Sequence, residues 1–120
     1  MLVRWTAPEV ITPPLNLGRP EKVPTAADVF AFAMLAVEVL TSHVPFASIK
    51  NAQDVGQEIL RGGRPPRPEA VKDDAVRDLI QACWNQNPSD RLAIGQVVQR
   101  LWPLPYLTFQ VSVPFQEDTD

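Results

Sequence analysis

The stretch Thr25-Ala26-Ala27-Asp28-Val29-Phe30-Ala31-Phe32-Ala33-Met34-Leu35-Ala36-Val37 decides the fold. It opens on a hydroxyl followed three residues later by an acid, a capping-box-like start for a helix. From Val29 to Val37 it carries nothing polar. A helix that is apolar on every side is a helix covered on every side. The stretch therefore predicts a central buried helix over 25–41, and the rest of the chain has to supply its cover.

The prolines show where that cover lies. Proline removes a backbone donor and clashes inside a helix, at a cost of about 3 kcal/mol. The 13 prolines leave four long open windows, 25–44, 46–64, 69–87 and 89–102. The second window holds Asn51 with Asp54 three residues later, then Val55, Ile59 and Leu60, and it stops at Gly62-Gly63, a helix-terminating pair. Arg64-Pro65-Pro66-Arg67-Pro68 must then run extended. In the third window Val76, Leu79, Ile80, Cys83 and Trp84 fall at i, i+3, i+4, i+7 and i+8, one stripe of an amphipathic helix. In the fourth, Ile94, Val97, Val98 and Leu101 repeat that spacing until Pro103. The result is a mainly α domain over 1–102. In the tail, 103–120, Leu107, Phe109, Val111 and Val113 alternate with Thr108, Gln110 and Ser112, which predicts a strand over 107–113. The acidic end, 117–120, is expected to be disordered.

Composition narrows the function. At a net charge of −3 the chain has no surplus of basic residues for nucleic acid or an anionic membrane. Cys83 is its one cysteine and His43 its one histidine, so an internal disulfide and a multi-cysteine or multi-histidine metal site are excluded. The longest apolar run, Val29–Val37, is far short of the roughly 20 residues of a membrane span. After Met1-Leu2-Val3-Arg4-Trp5 the chain is broken by Pro8, Glu9, Pro13 and Pro14, so no signal-peptide core is read there. An intracellular, cytoplasmic location is expected.

Five motifs then appear in one order. Trp5-Thr6-Ala7-Pro8-Glu9 resembles the Ala-Pro-Glu that ends the activation segment of protein kinases. Asp28-Val29-Phe30-Ala31-Phe32-Ala33 resembles the opening of the kinase helix F, and Pro45-Phe46 the pair that comes after it. Arg64-Pro65-Pro66-Arg67-Pro68 resembles the linker after helix G. Cys83-Trp84-Asn85-Gln86-Asn87-Pro88-Ser89-Asp90-Arg91 resembles the signature between helices H and I. Over residues 3–102 the chain is similar to the C-terminal part of the kinase large lobe, of tyrosine-kinase-like type. It departs from the family pattern at Ala33 for Gly, Phe30 for Trp, Leu92 for Pro, and Leu2 where many serine/threonine kinases carry Thr.

The resemblance implies a fold of helices F, G, H and I around a buried helix F. It implies a buried ion pair between Glu9 and Arg91, for which a planar guanidinium suits a carboxylate. It makes Asp28 the anchor of a catalytic loop, against the simpler reading that Asp28 only completes a cap with Thr25. It offers Glu38 as a contact for a basic substrate residue, against the simpler reading of a carboxylate at the helix's polar exit near Thr41 and Ser42. Cys83 reads as a small buried hydrophobe, His43 as a loop residue, and Arg61, Arg64 and Arg67 as a solvated loop, against the alternative of a cluster that holds an acidic partner.

Phosphoryl transfer needs a Gly-rich loop, a strand Lys, His-Arg-Asp with a downstream Asn, and Asp-Phe-Gly. The glycines at 18, 56, 62, 63 and 95 form no Gly-x-Gly-x-x-Gly, Lys22, Lys50 and Lys72 sit in polar or helical contexts, His43 precedes Val44, and no Asp precedes Phe. No catalytic, cofactor-binding or metal residue is expected in the chain; ATP and magnesium belong to a full-length parent. The expectation is a kinase fragment inactive by itself, with a pseudokinase-like interaction module as the alternative. Its partner would be a protein substrate or binding protein, not nucleic acid or membrane. Phe30, Phe32, Met34 and Leu35 cannot all be covered by what remains. The exposed face is expected to make the fragment marginal, to drive self-association, or to be shielded by 107–113.

Overall fold

The computed structural model describes residues 2–12, 23–69 and 71–101. Five helices succeed one another: α1 (Pro8–Ile11), α2 (Val23–Thr41), α3 (Ala52–Leu60), α4 (Asp74–Cys83) and α5 (Ile94–Leu101). Short 3-10 turns occupy Val3–Trp5 and Pro88–Asp90. The described residues contain no strand, and the tail with its 107–113 segment lies outside them.

Local chemistry sets most of the boundaries. Asn51 precedes α3, and its side chain accepts from Gln53 N at 2.7 Å. Asp73 does the same for α4 through Ala75 N at 2.9 Å. Each side chain satisfies one of the amide donors that a helix start leaves without a partner. After Arg61, Gly62 takes φ 97°, a left-handed conformation that glycine adopts without steric cost. The start of α2 differs from the expectation. The helix begins at Val23, so Thr25 lies inside its first turn and is not the cap. Pro24 does not prevent this, because an amide in the first turn has no acceptor within the helix.

Helix α2 is the spine of two cores. Val29, Ala33 and Val37, spaced four apart, pack with Leu79, Ile80 and Cys83 of α4 and Val97 of α5. Phe30 and Met34, one position round, pack with Ala7, Phe46, Val55 and Ile59. Ala33, where the family carries glycine, is fully buried in the first core. Each large side chain so covered contributes about 1.5–3 kcal/mol. The cover is incomplete: Leu35 is 51% and Val39 66% exposed, and Phe32 is half-buried. The helix expected to be buried on every side is buried on two. Among the described residues no helix is long and apolar enough to cross a membrane.

Candidate functional site

Ala7 and Pro8 are buried at the start of α1, which places Glu9 in the first turn of that helix, facing inward. Arg91 comes from the loop between α4 and α5. Asn87 shapes that loop: its Oδ1 accepts from Ser89 N at 3.0 Å and starts the 3-10 turn. The Arg91 guanidinium donates to Glu9 Oε2 from Nη1 at 2.7 Å and to Glu9 Oε1 from Nη2 at 2.8 Å. It donates also to Ala26 O of α2 at 2.9 Å and, from Nε, to Asn85 O at 2.8 Å. The Arg91 side chain is 0% exposed and that of Glu9 8%. A bidentate pair with further carbonyl acceptors meets the condition for holding two charges out of water. The pair joins α1, the first turns of α2 and the α4–α5 loop.

Phe30 lies beside this pair. Its ring centre is 5.1 Å from Arg91 Cζ and 4.9 Å from Arg64 Cζ, distances at which a guanidinium is attracted to the ring face. Arg64 corrects the expectation of a solvated loop residue. Its Nε donates to Trp84 O at 2.9 Å, Nη1 to Gly63 O at 2.6 Å, and Nη2 to Gln86 Oε1 at 2.6 Å. Burial, and then the neighbouring Arg91 charge, bring Arg64 down to about 10, with Glu9 opposing, so it stays charged at neutral pH. Arg67 donates to Val71 O and pairs with the exposed Asp74, and the exposed Arg61 pairs with Glu58. The three arginines thus serve three separate local ends.

An apolar trough of about 600 Å³ also runs along α2. It is lined by Ala31, Phe32 and Leu35 of α2, by Leu2 and Trp5, and by Asp28 and Glu38. Asp28 is exposed there. Glu38 accepts from Trp5 Nε1 at 3.0 Å, a contact foreseen in neither reading of Glu38. Thr41, expected near it, instead donates back to Val37 O.

Two residues with structural work gave no signal in the sequence. Arg4 donates to Pro45 O at 3.0 Å, Phe46 O at 2.8 Å and Ile49 O at 2.7 Å, pinning the α2–α3 loop to the N-terminal turn. Gln86 Nε2 donates to Ile59 O at 3.2 Å and Leu60 O at 3.0 Å, the last carbonyls of α3. Their acceptors are main-chain atoms at least 26 residues away, which no motif records. Cys83 is buried, and desolvation pushes its thiol up to about 11. His43 is an exposed loop residue with Nδ1 2.7 Å from Thr41 O. No group of His, Cys, Asp and Glu among the described residues could hold a metal ion.

Comparison with known proteins gives this geometry a context. The family model described as protein tyrosine and serine/threonine kinase matches residues 1–101. The chain is 36% identical to a light-sensor protein kinase of Ceratodon purpureus over 96% of its own length and 10% of the relative's. It is 37% identical to the tyrosine-protein kinase transforming protein Fps of an avian sarcoma virus, over 82% of its length and 17% of the relative's. It is 33% identical to the receptor-type guanylate cyclase gcy-5 of Caenorhabditis elegans, over 81% of its length and 9% of the relative's. The chain therefore spans less than a fifth of each of these relatives.

Proposed function

The chain belongs to the family of protein tyrosine and serine/threonine kinases, as part of a catalytic domain, and on that premise we propose that it braces a phosphoryl-transferring domain and transfers no phosphate by itself. One observation carries this reading. The buried Glu9–Arg91 pair ties α1 to α2 and to the α4–α5 loop, while another face of α2 stays open as an apolar trough whose lining includes Asp28 and Glu38. The trough is where a catalytic loop would seat, with Asp28 accepting from its backbone. Glu38, held by Trp5, keeps one oxygen for a basic group on a protein substrate. Positioning and charge stabilisation supply most of the rate in phosphoryl transfer. ATP and magnesium act in the parent domain, in the cytoplasm.

The test is direct. The pure chain, incubated with magnesium and labelled ATP and a generic protein substrate, is expected to incorporate no label, and a nucleotide titration to give no saturable signal. Magnesium-dependent labelling by the pure chain would overturn the reading.

A second reading is a non-catalytic interaction module. It is favoured by the open apolar trough on α2, where Leu35 is 51% exposed. A specific protein captured by the chain and released by Leu35→Asp would support it.

A further inference from the structure

We propose that Arg4 is a latch that couples the trough on α2 to the α2–α3 loop, so that displacing Trp5 from Glu38 loosens the loop around Phe46. Phe46 sits at φ 58°, in the left-handed region, although its side chain is bulky and buried in the second core. Such a residue is costly there and stays only where its surroundings hold it. Arg4 supplies the hold. Its one guanidinium gathers three carbonyls from residues 45–49: Pro45 O and Phe46 O through Nη1, and Ile49 O through Nη2. Among the described residues no carboxylate pairs with Arg4, so its donors are spent on this loop.

The other end of the latch is stiff. Val3–Trp5 is a closed 3-10 turn, with Trp5 N–H donating to Leu2 O at 3.1 Å and Thr6 N–H to Val3 O at 3.0 Å, so Arg4 and Trp5 move together. The turn lies against α3, where a side chain at Gly56 would come within 3.3 Å of Val3 Cγ2. Trp5 lines the trough and donates from Nε1 to Glu38 Oε1 at 3.0 Å. A group that takes this carboxylate for itself leaves the indole without its acceptor and frees the turn. Arg4 then loses its alignment with the three carbonyls, and Phe46 relaxes to negative φ. The consequence reaches a second surface. Phe46, Ser48 and Ile49 line a cavity of about 520 Å³ together with Pro65 and Pro66, so its shape changes with the loop. Two discrete arrangements of one loop, biased from the trough, are what energetic coupling between separate sites requires.

The coupling uses contacts within this chain and does not depend on the phosphotransfer reading. It is tested on the full chain by native-state hydrogen exchange. The probes are the Ile49 amide, which donates to Phe46 O at 2.9 Å, and the Trp5 indole N–H, with Leu79 and Ile80 of α4 as controls. Two variants are compared with the parent: Trp5→Phe, which removes the indole donor, and Arg4→Lys, which keeps the charge and loses the fork. In each, Ile49 is expected to exchange about fivefold faster or more, with the controls unchanged. Combining the two should add nothing further, because both release the same latch. The unaltered chain supplies a measurement that does not depend on either variant folding. In low urea its Ile49 amide and Trp5 indole should open in a single step below global unfolding. Unchanged Ile49 exchange in either variant would overturn the proposal, as would equal acceleration of the controls or an additive effect in the double variant. Separate opening of the two probes in the parent would overturn it too.

Discussion

Arg91 holds Glu9 across 82 residues of sequence with two parallel hydrogen bonds of 2.7 and 2.8 Å. Neither charge reaches water to any useful extent, so removing one strands the other. Glu9→Ala and Arg91→Ala are each expected to lower the unfolding free energy by about 3–5 kcal/mol. Arg91→Lys should recover little of it. A single ammonium cannot make the bidentate contact while also serving Ala26 O and Asn85 O. Urea denaturation of the three variants measures this; midpoints near the parent's would show the pair to be incidental.

Two positions test the backbone separately from the side chains. Ser42 ends α2 at φ 62°, its N–H bonded to Glu38 O at 2.8 Å, in the left-handed conformation usual for glycine after a helix. Ser42→Gly is expected to raise stability by about 1 kcal/mol. Gly62, at φ 97° with open space around it, should respond in the opposite sense. Gly62→Ala loses about 1 kcal/mol through strain alone. Thermal melts of the two variants should move in opposite directions.

Gln86 tests how α3 is held. Its amide caps Ile59 O and Leu60 O and also accepts from Arg64, so one side chain links the end of α3 to the α4–α5 loop. Gln86→Ala is expected to cost about 1–2 kcal/mol. Native-state hydrogen exchange should show Leu60 to Gly63 opening faster, while Leu79 and Ile80 in the other core keep their protection. Uniform acceleration through both cores would argue that α3 is not an independent unit.

How much of the molecule is legible in its sequence depends on the range of each interaction. The spans of α3, α4 and α5 are readable because spacing and punctuation act within a few residues. Ile94–Leu101 is bounded in space as it is in sequence. Glu9 with Arg91 comes into view only through resemblance, since no local pattern links positions so far apart. Arg64 reads as solvated because its burial depends on Trp84 O and the Phe30 ring, both delivered by tertiary packing. Val23 escapes notice as the start of α2 because Pro24 looks like a boundary, although a first turn accepts proline. The face of α2 at Leu35 and Val39 looks like core by composition. Whether it is covered depends on neighbours that the described residues do not supply.

Cys83 gives a pH dependence whose sign is fixed by burial. Desolvation in the core pushes the thiol up to about 11, with Arg100 pulling more weakly the other way. An unfolded thiol ionises near about 8.5. Between those values the native state retains a proton that the unfolded state has lost. Stability therefore falls as pH rises through the unfolded value, and the decline ends once the folded thiol also ionises. Below about pH 8 the group contributes no slope. The steepest contribution is about 1.4 kcal/mol per pH unit. Urea unfolding of the parent and of Cys83→Ala, compared from about pH 7.5 to about pH 10, separates this from lysine and tyrosine titration, because only the difference between the two belongs to Cys83. The difference is expected to be constant at the acid end and to shrink steadily above about pH 8.5, as the parent loses the advantage of its buried neutral thiol. A constant difference across the whole range would mean that the thiol ionises in the folded chain as it does in the unfolded one, and that the core around Val29, Ile80 and Val97 admits water.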